Sequence, residues 1–467
     1  MDNARTRPPP DEVVEWRAFW LVEAFPLSLN QALIAAIRHL QRRHYGLGST
    51  RLDELVARIS RRAGTAGGSS WSMLDWAKPR DRYGHIAGYD IPLPDAIDHV
   101  RFALYSPIPE LHLLVACFVF NEEARVRPTA LINRDYVSTA ARLASGTSLY
   151  NADAHKERAV RALRFESKQE AALWLRESVR ARGLFAGGEL DGRLPAVEFW
   201  TTRLAEPNNS RSRIAYLDTL GLSRGFSTWS ATTLPGLHLT EAESDAPTLD
   251  LGPEDSHSLT LAARERDLYA GIDWDELHVG ERDHWSELGY LEPDASSLAA
   301  GAGLLSMVEV FERRLGNVSE DLLGLNVGAP REANSRFPAT ETAFIRLASD
   351  ALPIATALRA HRQWLARTFK YYRGTDFTSD QKDSSRTWFD GLVENAIDRM
   401  TLLRSRIEDA RTIHGVVSNA IASRSSLRLQ RVLTRLTYLL VLLALLSAGF
   451  AAVAVWDNIR GLLERLF

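Results

Sequence analysis

The apolar residues of this chain alternate between strand-like runs and helical repeats over the first 290 positions, which predicts an α/β domain. Residues 15–27 (EWRAFWLVEAFPL) are rich in aromatic side chains and, like residues 98–105, predict a strand. Residues 111–120 (LHLLVACFVF) are apolar on both faces, which is typical of a central strand. Residues 28–43 show helical spacing behind Ser28, a suitable N-cap. Further predicted elements are helices over 49–62 and 166–182, a loop over 64–70, and short strands over 226–233, 237–239 and 258–261.

Beyond Pro293 the pattern is helical only, and we expect long antiparallel helices over residues 291–383. A loop rich in Gly, Pro and Asn at 324–338 separates two of them, and residues 374–383 predict a polar turn. Residues 384–435 contain no proline and predict a single stalk helix. The expected fold is an α+β or α/β domain followed by long α-helices.

One face of the predicted stalk helix carries apolar residues that recur every three or four positions. This stalk seam comprises Trp388, Leu392, Met400, Leu403, Ile407, His414, Val417 and Ile421, with Ala396 and Ala410 between them. A helix of this length is unstable alone and must pack on neighbouring helices or on copies of itself, and assembly is the expected solution. Copies of the titratable His414 in an apolar layer would loosen an assembly as the pH falls, whereas a His414 turned to solvent or to a neighbour's Glu408 or Asp409 would not.

Residues 436–456 (LTYLLVLLALLSAGFAAVAVW) are 21 consecutive residues without a charge. A helix of that length is about 31 Å long, which matches the hydrocarbon core of a bilayer. The alternative is a buried helix of a soluble protein, but such helices seldom run so far without a polar face. The segment therefore predicts one C-terminal transmembrane helix that continues the stalk helix. Tyr438 and Trp456 lie near its ends, where amphipathic rings favour the headgroup interface.

The charges that flank this segment predict its orientation. The 20 residues before it carry four arginines and no acid, whereas the 11 residues after it carry two basic and two acidic residues. The positive-inside bias then makes residues 1–290 a cytoplasmic domain and places Phe467 outside. Residues 1–10 contain no apolar run, so we expect a tail-anchored protein of a bacterial-type inner (plasma) membrane without a signal peptide. The tail over 457–467 is expected to form a short amphipathic helix in the far interface.

Small side chains form a stripe along the predicted span. The stripe comprises Thr437, Ala444, Ala448, Ala451 and Val455, with Ser447 beside it and Thr434 just before the span. Because small residues permit close helix approach in lipid, the stripe predicts a helix-association or pore-lining face; an alanine-rich composition alone is the alternative. No ring of carboxylates or carbonyls is present there to replace an ion's hydration shell, so selective conduction is not expected.

The junction between stalk and span resembles that of a known family. In residues 417–454 (VSNAIASRSSLRLQRVLTRLTYLLVLLALLSAGFAAVA), a Ser-Asn pair and a basic amphipathic stretch run straight into the membrane segment. Together with the α/β domain and the long helices, this resembles the CorA-like family of divalent-cation transporters. The resemblance implies a funnel-shaped homopentamer whose first membrane helices face one another around an axis. It is also the sole indication of a divalent cation as ligand.

The chain lacks two features of this family, so the resemblance is to a degenerate member. Family transporters end their first membrane helix with Gly-Met-Asn, the mouth that selects hydrated cations, whereas this chain reads SAGFAAVAVWDN over 447–458. They also carry a second membrane helix, and this sequence offers a single span. Magnesium selectivity is therefore not implied, and the family's regulatory aspartates have no matching residues in the N-terminal part.

Composition narrows the remaining chemistry. The 467 residues are 45% hydrophobic and 25% charged, which is typical of a globular protein outside the one apolar segment. A net charge of −3 gives no basic field for nucleic acid. The single cysteine, Cys117, excludes intrachain disulfides and cysteine-based metal sites, and its apolar strand makes it a candidate core residue.

Catalytic and metal-binding motifs are missing from the sequence. The histidine pairs at 39/44 and 278/284 do not have the spacing of metal ligands. The acidic patch over 271–285 (GIDWDELHVGERDHW) is more typical of a solvated loop than of a cation site. Glycine motifs of nucleotide-binding proteins and hydrolases do not occur. We therefore expect a protein that is not an enzyme and that has no identified cofactor or metal.

These patterns favour a CorA-like homo-oligomeric membrane protein with a cytoplasmic domain that senses or binds an unknown ligand. Its expected partners are the lipid bilayer and its own copies, as a pentamer, and not nucleic acid. Selective magnesium transport is not expected. One alternative is a ligand-triggered, membrane-permeabilising effector of a stress or antiviral response. The other is a non-conducting membrane scaffold.

Overall fold

A computed structural model gives the fold of the protein. It describes residues 7–45, 49–60, 70–78, 88–143, 146–150, 152–187, 194–207, 216–217, 220, 222, 228–234, 236–241, 258–274, 284–327, 330–363, 365, 376–379 and 387–466. Contacts divide the chain into two compact units. The sheet unit comprises Met1–Arg314 and Arg346–Arg404, and the helical unit comprises Leu315–Ile345 and Ser405–Phe467.

The strands belong to one large mixed sheet and one hairpin. They are β1 (Val14–Pro26), β2 (His44–Tyr45), β3 (Ser70–Ala77), β4 (Gly88–Tyr89), β5 (Ile97–Ile108), β6 (Leu111–Phe120), β7 (Thr139–Leu143), β8 (Gly146–Tyr150), β9 (Ala196–Thr202), β10 (Thr228–Ala231), β11 (Leu237–Glu241), β12 (Ser258–Arg264) and β13 (Phe377–Ser379). In the part of the chain that the structure describes, eleven of them form a sheet in the order β13-β10-β11-β12-β9-β1-β6-β5-β3-β4-β2, and β7 pairs with β8. The central pairs β1–β6, β1–β9 and β5–β6 are antiparallel, whereas β9 and β12 are parallel.

Nine α-helices lie in the described residues, four of them at least 26 residues long. They are α1 (Asn30–Arg43), α2 (Ser49–Ser60), α3 (Glu122–Arg125), α4 (Arg127–Asn133), α5 (Ala152–Glu177), α6 (Glu265–Gly271), α7 (His284–Val327), α8 (Pro330–Ala360) and α9 (Trp388–Leu466). The last helix runs without a break through the predicted stalk and span. A large sheet domain followed by long helices is thus confirmed, with a C-terminal helix that is apolar enough to span a membrane.

The centre of the sheet lies where the apolar pattern predicts it. Every side chain of β6 is buried, and β6 lies between β1 and β5. Trp16 of β1 stacks on Trp200 of β9 with ring centroids 5.3 Å apart, and Phe19 stacks on Phe118 of β6 at 5.1 Å. Trp174 of α5 meets the Phe118 ring at 5.6 Å, so these aromatic rings form the core on the α5 side of the sheet.

Helix α7 covers the opposite face of the sheet. Because successive strand residues point to opposite faces, Val22 of β1 lies on the face away from Phe19. A Cβ atom built on Gly303 of α7 would be 2.6 Å from Val22 Cγ1, so only glycine permits this approach. The sheet is therefore the middle layer between α5 and α7.

Gly303→Ala is expected to lower the free energy of unfolding by about 1–3 kcal/mol, because the added methyl overpacks the contact between α7 and β1. The matched control is Gly316→Ala in the same helix, where nothing lies within 4 Å of the added Cβ. That change is expected to raise stability by up to about 1 kcal/mol through helix propensity. Thermal unfolding in detergent measures both variants, and equal midpoints for the two would contradict the packing.

Several elements differ from the sequence prediction, because tertiary packing overrides local signals. Pro293 lies inside α7 instead of before it, since the buried neighbours Leu291 and Ala295 hold the helix across the missing hydrogen bond. The predicted loop at 324–338 is largely helical, because α7 extends to Val327 and α8 begins at Pro330. The predicted turn at 374–383 contains β13, whose buried Phe377 pairs with Ala231 at the sheet edge.

Candidate functional site

The apolar end of α9 is the first candidate site. Among the described residues, α9 is the helix that is long and apolar enough to cross a membrane, over Trp388–Ala451. No residue of the most apolar stretch of α9 is buried inside the chain. Its large apolar side chains are more than half exposed at Leu436, Leu439, Leu440, Val441, Leu442, Leu443, Leu445, Leu446 and Phe450. A continuous exposed surface of this kind marks an interaction with lipid or with other protein.

The predicted association face lies on this exposed part of α9. Thr434, Thr437, Ala444, Ser447, Ala448 and Ala451 are exposed, and the side chain of Val455 lies outside the described residues. The hydroxyl of Thr434 donates to Gln430 O at 2.7 Å, and that of Thr437 donates to Leu433 O at 2.9 Å. The hydroxyl of Ser447 donates to Ala444 O at 3.0 Å. Because each hydroxyl proton is donated to a backbone carbonyl of the same helix, these hydroxyls can face lipid without a large desolvation cost.

The stalk seam lies inside its own chain over most of its length. Trp388, Leu392, Ala396, Met400, Leu403, Ile407, Ala410 and Val417 are each less than 5% exposed. In the sheet unit, a Cβ on Gly301 of α7 would lie 2.7 Å from Leu392 Cδ1, which shows how closely α7 and α9 approach. Arg399 of α9 donates to Glu312 Oε2 of α7 at 2.6 Å. Of the two expected ways to bury the seam, packing on helices of the same chain therefore accounts for these residues, and they need no contact with further copies.

His414 has its partners in α8 of the helical unit. Its imidazole stacks on Phe337 and Phe344, with centroid distances of 5.3 and 5.5 Å. Its Nε2 lies 3.6 Å from Glu341 Oε1. The nearby Val417 packs against Phe337 and the partly buried Ile421. The sequence predicted several copies of His414 together in an apolar layer. In the structure, the His414 ring instead stacks on two phenylalanines and lies beside one carboxylate.

A buried carboxylate holds α5 against the sheet. Glu198 of β9 is fully buried, and it lies 2.7 Å from Lys168 Nζ and 2.8 Å from Arg164 Nε of α5. Trp200 Nε1 also donates to Glu198 Oε2 at 2.9 Å. Burial alone raises the pKa of a carboxyl, but the charges of Arg164 and Lys168 lower the pKa of Glu198 to about 2. The cluster therefore keeps one negative charge between two positive ones inside the unit.

A second cluster lies on the α7 side of the sheet. The Arg17 guanidinium is 2.5 Å from Glu15 Oε2, 3.1 Å from Glu265 Oε1 and 3.9 Å from Glu287 Oε2. Tyr269 also donates to Glu287 Oε2 at 3.2 Å. Burial raises the pKa of Glu287 to about 7, against the attraction of Arg17. Arg17 thus contacts three carboxylates, and the most buried of them, Glu287, has the raised pKa.

A third cluster connects β5 to α7. Arg101 donates to Glu292 Oε2 at 2.5 Å and, through Nε, to His99 Nε2 at 3.0 Å. Because an arginine Nε is always a donor, His99 Nε2 must be the acceptor and its proton lies on Nδ1, 3.0 Å from Asp98 Oδ2. Trp76 stacks on the imidazole at 5.2 Å. This chain of partners fixes one neutral tautomer of His99 and serves to position α7.

The remaining candidates of the sequence form no site within the residues that the structure describes. Cys117 is 3% exposed and burial raises the pKa of its thiol well above the usual value, so its prediction as a core residue is confirmed. Most of the acidic patch over 271–285 lies outside the described residues. His44 lies 2.9 Å from Asp75 and is not joined to His39 as a ligand pair. Within the described ranges, no group of three or more His, Cys, Asp or Glu side chains is arranged to hold a metal ion.

Sequence reasoning missed the three charged clusters, because their members lie far apart in the chain. Glu198 and Arg101 interrupt strand patterns, and a charge inside an otherwise apolar strand was the signal that could have indicated buried ion pairs. A scan of protein-family models gives no match to this chain, and a search of curated proteins gives no similar sequence.

Proposed function

We propose that this protein is anchored in a membrane by residues 436–456 and acts there as a homo-oligomer with a cytoplasmic sensing domain. The observation that carries the proposal is the exposed apolar end of α9, which no other part of the described chain covers. At least nine large apolar side chains in water would cost far more free energy than a domain can spare, whereas lipid accepts them.

Assembly through the membrane segment is the second step of the proposal. The stalk seam is mostly buried within its own chain, so it offers little surface to other copies. Contacts between copies are therefore made by the exposed small-residue face with Ala444, Ala448 and Ala451. Small residues let helix backbones approach closely in lipid. The CorA-like resemblance of residues 417–454 favours five copies around an axis, and the sheet unit is then the domain that receives a ligand.

Selective magnesium transport is not part of this proposal. Residues 447–458 read SAGFAAVAVWDN where the CorA-like family has Gly-Met-Asn. The hydroxyls of Thr437 and Ser447 donate within their own helix and do not offer protons to a pore. These features favour the second candidate function, an unselective membrane-permeabilising effector that responds to a ligand.

Mass photometry of the full chain in detergent, combined with a membrane-potential dye in expressing cells, tests the proposal. We expect an oligomer several times heavier than the 52.2 kDa monomer, and no rescue of a magnesium-import-deficient strain at low magnesium. Loss of membrane potential on induction identifies the effector, and an oligomer without such loss identifies the scaffold. A monomer overturns the assembly, and rescue that requires intact residues 436–456 overturns the exclusion of magnesium transport.

A further inference from the structure

Four arginines of α9 lie in a row just before the apolar segment. The arginine stripe comprises Arg424, Arg428, Arg431 and Arg435, which are all exposed. Their spacings of 4, 3 and 4 place them within an arc of about 60° on the helix, because each residue turns it by about 100°. The stripe is therefore one basic surface on one side of α9.

No acidic side chain of α9 balances this charge. Between Asp409 and Asp457 the sequence contains no aspartate or glutamate. A second copy of the helix in register presents the same row of arginines, so copies of the chain cannot neutralise one another here. The anion that balances the stripe must therefore come from outside α9.

The position of the stripe identifies that anion. Along the helix axis, Arg435 lies about 1.5 Å and Arg431 about 8 Å before Leu436, the first residue of the apolar segment. The headgroup layer on each side of a bilayer is about 5–7 Å thick, and it contains the lipid phosphates. A guanidinium binds phosphate with two parallel hydrogen bonds, so Arg435 and Arg431 reach the phosphates directly.

The outer two arginines lie farther from the lipid. Arg428 is about 12 Å and Arg424 about 18 Å before Leu436 along the axis. They act over roughly the screening length of 8–10 Å and contribute less than the inner two.

We propose that the arginine stripe binds the phosphates of anionic phospholipids in the leaflet on the N-terminal side of the span. This inference rests on the membrane anchoring of the proposed function. It adds a lipid specificity that neither the apolar segment nor the assembly requires. Arginines near a membrane surface each attract anionic lipid by roughly fivefold, which sets the scale of the effect.

The test uses the full chain reconstituted in phosphatidylcholine bilayers with traces of spin-labelled phosphatidylglycerol or spin-labelled phosphatidylcholine. The fraction of motionally restricted label gives the preference of the protein for the anionic lipid. We expect a preference of about fivefold or more for the wild type. Arg431→Gln with Arg435→Gln is expected to bring it below about twofold, whereas the matched control Arg424→Gln with Arg428→Gln leaves it within about twofold of the wild type.

Three outcomes overturn the inference, and flotation of the vesicles separates them. Equal lipid preference in the wild type and in the inner double variant, with both proteins floating, overturns the stripe alone. A preference that inorganic phosphate abolishes, while chloride at equal ionic strength does not, assigns the stripe to free phosphate. A chain that does not float with the vesicles overturns the membrane anchoring, and the lipid site with it.

Discussion

Replacing Leu443 and Leu446 together by arginine is expected to remove the protein from the membrane fraction. Both side chains lie in the middle of residues 436–456 and are about half exposed, with no protein neighbour to shield a charge. Each arginine at the centre of a membrane helix costs about 2.5–3.5 kcal/mol. Together they shift the partition of the helix between lipid and water by a factor of about 10⁴.

Flotation of membranes after an alkaline carbonate wash measures this effect. The matched control is Ser425→Arg with Ser426→Arg, which adds the same charge to the same helix outside the apolar segment and is expected to float as the wild type does. A C-terminal reporter that works only in the periplasm is expected to be active in the wild type. Flotation of the Leu443→Arg, Leu446→Arg protein at the wild-type level would show that this segment is not the anchor.

Glu198→Leu is expected to lower the free energy of unfolding by about 3–5 kcal/mol, because it leaves two buried cations without their carboxylate. Lys168 and Arg164 are both mostly buried, and the hydroxyl of Ser258, 2.9 Å from Lys168 Nζ, carries no charge to replace the carboxylate. For a unit as large as the sheet unit, a loss of this size corresponds to a fall of about 4–6 °C in the unfolding midpoint. Thermal unfolding in detergent measures it.

The control for this change lies in the same helix. Glu157 of α5 pairs with Arg161 at 2.5 Å, and both side chains are about one-third exposed, at 31% and 34%. Glu157→Gln is therefore expected to cost no more than about 0.5 kcal/mol. A midpoint for Glu198→Leu as high as that of Glu157→Gln would contradict the role of Glu198.

The pH dependence of Glu198 has a definite sign. Its pKa is about 2 in the folded protein, below the ordinary value of 4.5, so the folded state binds fewer protons than the unfolded state between these values. The stabilisation is present above about pH 4.5 and is lost as the pH falls towards 2. In Glu198→Leu this part of the acid dependence is expected to disappear.

The central strands and the last helix could be predicted because their signals are local. Residues 111–120 are apolar on both faces, and β6 proves to be a buried central strand with the predicted bounds. The start of the helix at Ser49 and the strand at Ser258 were also within a few residues of the prediction. In each case the element is predicted by the spacing of apolar residues within a short stretch of the chain, which can be read from the sequence alone.

The elements that sequence reasoning missed depend on partners far along the chain. Strand β9 contains Glu198, which a local pattern treats as an exposed residue, and Lys168 of α5 is what makes its burial tolerable. The helical region was expected to begin after Pro293, but packing on the sheet starts α7 at His284 and continues it through this proline. Local propensity is weaker than tertiary packing at such positions.

The sequence by itself determined that residues 436–456 are an apolar helix preceded by a row of arginines, because both properties follow from composition and helical spacing. Only the tertiary structure decided what covers the stalk seam. An apolar face indicates that a helix must be buried, but it does not indicate which partner buries it. Here Met400 and Leu403 are buried within their own chain, without further copies. The surroundings of His414 could not be predicted for the same reason, because only the fold brings Glu341 and two phenylalanines to its ring.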